Sequence, residues 1–112
     1  MIVETGSHLE SVRAVATGRA DVASIDAVSW ALFAELEPES VSLLHVVGAG
    51  PRVPCLPVVA SSAHAGDVPA LRTAFAAAVA DPAASEACAA LRIRGFVPMD
   101  LADYLPLRSL VP

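Results

Sequence analysis

Four consecutive residues, Thr5-Gly6-Ser7-His8, are where the types and spacing in this chain could do chemistry. A glycine turn leading into a helix presents unpaired backbone N–H groups and the positive end of the helix dipole to an anion. The hydroxyls of Thr5 and Ser7 and the ring of His8 could add side-chain donors, with Gly6 acting through its backbone. The same residues have an architectural explanation, because Ser7 and Glu10 form the S-x-x-E pattern of a capping box, which needs no ligand. Asp26 is the second candidate. It could accept a hydrogen bond or charge from a ligand amine, or orient His8 across a cleft, and equally it could cap a helix. Trp30, the only tryptophan, lies one turn further on and could wall a pocket or pack in a core. Arg52 could pair with an oxyanion, although a single arginine near a loop is usually solvated.

Other chemistries find no support in the spacing. His45 and His64 form neither H-E-x-x-H nor another metal-binding spacing with His8, so no metal site is expected. Nucleophile elbow, phosphate-binding loop and dinucleotide-binding patterns are all missing; Gly48-Ala49-Gly50 is too short to count. Cys55 and Cys88 lack the C-x-x-C spacing of zinc and redox centres and are expected as small core residues, with a single disulfide left open. The expectation is a binding protein without a cofactor, and not an enzyme.

The elements that must position these residues follow from caps, breakers and periodicity. Ile2 to Glu4 reads as a short extended segment, broken by Thr5-Gly6. A helix starts at Ser7, carries Leu9, Val12, Val15 and Ala16 on one face, and stops at Gly18. Residues 21–25 (D-V-A-S-I) predict a buried strand, after which Asp26 caps a second helix bearing Val28, Ala31, Leu32 and Leu36 and ended by Pro38. Leu43 to Val47 predicts a third strand, and Pro54 to Ala60 a further extended segment confined by its prolines to an edge or crossover. Asp67 caps a helix with Val68, Leu71, Phe75 and Val79 as its stripe. Asp81-Pro82 starts another that runs to about Arg94, with Gly95 as a left-handed stop. A short last helix covers Asp100 to Tyr104. Strands alternating with helices predict an α/β fold of right-handed βαβ units with a mostly parallel sheet. Ligands of such sheets sit beyond the carboxyl ends of the strands, here Thr5 to His8, Asp26 to Trp30 and Ala49 to Arg52.

Bulk properties set the outer limits. The chain has 112 residues, of which 55% are hydrophobic and 17% charged, ample for a packed core and the opposite of a disordered composition. Its net charge of -5 and seven scattered arginines argue against a nucleic-acid partner. No apolar run reaches the length of a membrane helix, so direct membrane insertion is not expected. The N-terminal residues show no basic stretch followed by an apolar core and a cleavage site, the pattern of a secretory signal.

The stretch Thr5 to Trp30 contains T-G-S-H-x-x-S followed by G-x-A-D-V-A-x-I-D and a second helix bearing Trp. It resembles the phosphate, phosphite and phosphonate branch of type II periplasmic binding proteins, as do Leu56 to Ser61 (L-P-V-V-A-S) and Arg94 to Tyr104 (R-G-F-V-P-M-D-L-A-D-Y). The resemblance covers nearly the whole chain. It implies a two-lobed protein that captures a small oxyanion and delivers it to an ABC permease, with Ser7, His8 and Asp26 at cleft positions and Thr5, Gly6 and Trp30 beside them. It also implies a division: a second-lobe βαβαβ unit over 1–50, a hinge crossover over 51–62, and C-terminal helices over 63–112 that would pack on a first lobe not in this sequence. On that view the chain is a C-terminal portion, exposed apolar faces favour a homo-oligomer, and the location is periplasmic or at the cell surface. The alternatives are a cytoplasmic ligand-sensing or interaction module, given that no signal is visible, or a truncated product without retained activity.

Overall fold

The computed structural model describes residues 1–110, which fall into two compact units, Met1–Gly50 and 51–110. In the first unit, α1 spans His8–Ala16, α2 Ala27–Leu36 and α3 Pro38–Ser42. The second unit opens with a long irregular segment. It continues with a 3-10 helix at Ser62–Asp67, α4 at Val68–Ala80, a 3-10 turn at Pro82–Ala84, α5 at Ser85–Ala90, α6 at Leu101–Tyr104 and a 3-10 helix at Leu105–Leu110.

The architecture among the described residues is helical, which corrects the expected α/β fold with its parallel sheet. A strand exists only through the ladder it makes with a neighbour, and residues 2–4, 21–25, 43–47 and 54–60 make none. Local causes are visible for two of them. The start of the 43–47 segment is drawn into the end of α3, where the N–H groups of Leu43 and Leu44 donate to the carbonyls of Ser40 and Val41 at 3.4 and 3.0 Å. In the 54–60 segment Pro54 and Pro57 remove two donors. Residues 1–3 and 19–24 line one hollow of about 440 Å³ in the first unit without pairing. Val22 of the 21–25 segment and Val46 and Val47 of the 43–47 segment are exposed, not buried as strand residues would be.

Helix boundaries follow local chemistry closely. Ser7 is extended (φ -158°, ψ 162°) and its Oγ accepts the N–H of Glu10 at 3.1 Å, capping α1. Gly18 closes that helix with φ 72°. Pro38 ends α2 and also opens α3, because the first helical position has no use for the N–H that proline lacks. The fourth expected helix is shorter than its apolar pattern suggested. Asp81 Oδ1 accepts the Ala83 N–H at 2.8 Å and Pro82 starts a 3-10 turn, but α5 ends at Ala90, and the left-handed residue is Arg92 (φ 59°), not Gly95. Asp67 sits at the cap position of α4 with no side-chain cap bond, its carboxylate lying 3.0 Å from Nδ1 of His64 instead.

Packing differs between the units. The first unit's fully buried side chains are Val12 and Ala14, both on α1, and Arg13 joins Glu10 at 2.9 Å to Glu37 at 2.7 Å, tying α1 to the residue between α2 and α3. In the second, Phe75 of α4 stacks on Phe96, with ring centroids 5.6 Å apart. Arg72 reaches the carbonyl of Met99 at 2.9 Å and the carboxylate of Asp100 at 2.7 Å, and the Tyr104 hydroxyl donates to the Cys55 carbonyl at 3.1 Å. Both cysteines are free thiols, and Cys55 is exposed, not a core residue.

Candidate functional site

The starts of α1 and α2 meet in the first unit, and what joins them is a contact between two of the expected site residues. His8 is the first residue of α1 and Asp26 the cap of α2; Nε2 of His8 lies 3.3 Å from Oδ2 of Asp26, each side chain about half exposed. Asp26 divides its two oxygens. Oδ1 accepts the N–H groups of Val28 and Ser29 at 3.0 and 2.9 Å, the ordinary work of a cap, which leaves Oδ2 to face the imidazole. Hydrogen bonding from Ser29, its hydroxyl first and then its N–H, holds the Asp26 carboxyl below the usual aspartate range; slight burial opposes this, and His8 and the Val28 N–H add to it. The carboxylate is therefore ionised at neutral pH, and the positive end of α2 is already compensated by its own cap.

The start of α1 is capped by a neutral hydroxyl, and its first turn carries one acidic residue, Glu10, paired with Arg13. Gly6 takes φ 82°, a left-handed conformation that side-chain-bearing residues avoid, and this turn leads the chain into the helix. A Cβ at Gly6 would meet nothing within 4 Å, so the requirement is conformational and not one of space. Glu10 gives its N–H to Ser7 Oγ and Ser11 gives its N–H to the Ser7 carbonyl, whereas the N–H groups of His8 and Leu9 have no partner among the described residues. Thr5 Oγ1 lies 2.6 Å from Oγ of Ser11 and donates to the Ser7 carbonyl at 3.3 Å. Ser11 also donates to that carbonyl, at 3.0 Å.

Of the residues singled out from sequence, Thr5, Gly6, Ser7, His8 and Asp26 are thus gathered at the two helix starts. Trp30 is one turn into α2 and half-buried; its backbone N–H donates to the Asp26 carbonyl at 2.9 Å, and its indole makes no hydrogen bond among the described residues. Arg52 is exposed and belongs to the second unit. Ser11, the last residue of the T-G-S-H-x-x-S pattern, was not among the expected site residues, yet it closes the hydroxyl cluster, one helical turn after Ser7 and on the same face. Among the described residues no three His, Cys, Asp or Glu side chains converge as metal ligands would. Free N–H groups, hydroxyls and an imidazole at a helix start can hold a small oxyanion by hydrogen bonds.

Comparison with known families bears on what such a site is for. The model of one family, described as ABC transporter, phosphonate, periplasmic substrate-binding protein, matches residues 1–104. The chain belongs to this family. The phosphonate-binding family is one of substrate-binding transport proteins, not of enzymes, and its members bind a small ligand and work with an ABC permease. Its match spans both units and includes all the residues gathered at the helix starts. No curated protein and no solved structure matches the chain. No helix among the described residues is long and apolar enough to cross a membrane.

Proposed function

We propose that this member of the phosphonate-binding family holds a small oxyanion of the phosphonate, phosphite or phosphate type at the start of α1, for delivery to an ABC permease in the periplasm or at the cell surface. The observation that carries the reading is the start of α1, with the free N–H groups of His8 and Leu9 beside the Thr5, Ser7 and Ser11 hydroxyls and with His8 set against Asp26. Trp30 is a peripheral contributor. A ligand that binds only the folded chain must raise its stability, by about 2.7 kcal/mol at a hundred times its Kd. Methylphosphonate, phosphite and phosphate are each expected to raise the melting temperature by several degrees, and replacing both His8 and Asp26 by Ala is expected to remove the shift while leaving the helical circular dichroism in place. A melting temperature unmoved by any of the three at millimolar concentration contradicts the proposal, and a shift that survives the double substitution contradicts the site.

Self-association belongs to the same proposal. Each unit exposes large apolar side chains, among them Ile2, Val22 and Val47 in the first. In the second unit Leu56, Val58, Val59, Phe75 and Val97 are all exposed. Covering such surface with a second copy removes it from water, the drive for association of exposed apolar patches. Light scattering at micromolar concentration is expected to give at least twice the mass of one chain; the mass of one chain would count against it.

A further inference from the structure

We infer that two copies of this chain associate by exchanging their last described residues, 99–110, so that the C-terminal arm of each copy lies on the apolar hollow of the other's second unit. The inference rests on the proposed self-association and names the element that carries it.

The arm is attached in a way that lets it detach whole. Helix α6 and the 3-10 helix that follows it contact each other and no other helix among the described residues. No backbone–backbone hydrogen bond joins residues 97–110 to the rest of the described chain. The arm is held by side-chain bonds, and all of them lie at the rim of one hollow. Arg72 donates to the Met99 carbonyl at 2.9 Å and to the Asp100 carboxylate at 2.7 Å, and the Tyr104 hydroxyl donates to the Cys55 carbonyl at 3.1 Å. Just before the arm, Pro98 fixes its own φ and keeps Val97 extended. Neither residue donates a backbone hydrogen bond among the described residues, so the two can turn as a hinge. Phe96 marks the fixed side of that hinge, because its ring is stacked on Phe75 of α4.

Complementarity identifies the occupant. The hollow is apolar along residues 55–60 and at Leu71 and Phe75, and Arg72 is the one charged side chain among the residues that line it. The arm brings the matching groups, the Asp100 carboxylate at its start and the leucines at 101, 105 and 110 after it. In a single chain those leucines stay half exposed or more, and Leu56, Val58 and Val59 on the hollow are at least 70% exposed. An arm folded back on its own chain thus makes its polar ties and leaves both apolar faces in water. Exchange makes the same polar ties in the other copy, so the balance is set by the new contact between two second units. That contact covers apolar surface which neither copy covers alone.

The test is a reversal of charge at the rim. Arg72→Asp and Asp100→Arg each set like charges together in a homodimer, whether or not the arm is exchanged. A mixture of the two variants separates the cases: with exchange, each arm meets an opposite charge in the heterodimer, whereas without it every chain keeps its own mismatch. The two full-length variants, one of them isotope-labelled, are incubated together to equilibrium and followed by native mass spectrometry. The heterodimer is expected to make up about four-fifths of all dimer or more, against about one-half for random pairing. The wild type gives a second reading that needs no substitution. In dimers mixed from labelled and unlabelled chains, isotope-filtered nuclear Overhauser spectra are expected to show contacts from the Tyr104 ring to residues 55–60 of the other copy. Tyr104 contacts confined to one chain overturn the inference, as does random pairing of the two variants, and either result leaves self-association standing. The mass of one chain for the wild type at micromolar concentration overturns both.

Discussion

The two units of the chain spend their residues differently. In the first, a small amount of burial, centred on Val12 and Ala14, holds three helices so that two helix starts and five polar side chains come together. In the second, no described residue is fully buried, and an apolar hollow of about 590 Å³ is framed by residues 55–60, by Leu71 and Phe75 of α4 and by Phe96 and Met99. Polar links there are structural ties across the hollow's rim, Arg72 to Asp100 and Tyr104 to the Cys55 carbonyl. The contrast teaches that ligand chemistry and contact surface are separable in this chain. The first unit has the groups to meet an anion but little core, and the second has apolar surface but no comparable gathering of polar side chains.

Substitutions sharpen that contrast in a definite order. Val12→Asp places an unpaired charge at a position 1% exposed and is expected to cost about 3 kcal/mol or more, unfolding the first unit; far-UV circular dichroism in urea reads it. Phe75→Ala removes one ring of the stacked pair in the second unit and is expected to cost about 1–2 kcal/mol without changing anion binding. An equal loss of methylphosphonate affinity in that variant would break the division of labour. Asp26→Ala removes the α2 cap and is expected to cost about 1 kcal/mol in the first unit, measured by the same urea melts, in addition to its effect on ligand.

Acid provides a milder version of the same test. Because Asp26 in the folded chain lies below its ordinary value, its contribution is fully present above the unfolded aspartate pKa of about 3.9 and is lost as pH falls through the lower folded value. The helical signal of the first unit is expected to decline in that acid range, and Asp26→Asn to flatten this part of the decline. The smallest effect belongs to Ser11→Ala, which removes the 2.6 Å contact with Thr5 and is expected to cost about 0.5 kcal/mol, detectable as a small shift of the urea midpoint.

What the sequence revealed about this molecule was what a few neighbouring residues decide among themselves. The caps at Ser7, Asp26 and Asp81, the stop at Gly18 and the proline boundary at Pro38 each depend on one side chain and one turn of backbone, and each lies where those residues require. Strands are different in kind, since residues 21–25 and 43–47 need a partner ladder to become strands, and the end of α3 claims Leu43 and Leu44 instead. The left-handed turn at Arg92 was also hidden, because glycine three residues later is the better candidate by propensity. At the candidate site, the helix-start chemistry of residues 5–8 was legible from spacing. The 3.3 Å approach of His8 to Asp26 crosses eighteen residues of sequence, and only the placement of α1 against α2 sets it.

The central claim, that the oxyanion sits at the start of α1, is tested most directly by following backbone amide resonances of the isotope-labelled chain during titration with methylphosphonate. The predicted result is saturable shifts of the Gly6, Ser7, His8 and Leu9 amides, with smaller changes at Ala27 to Ser29 and none at residues 55–60 or 95–99. Shifts confined to the second unit, or no saturable shift in either, would contradict the account.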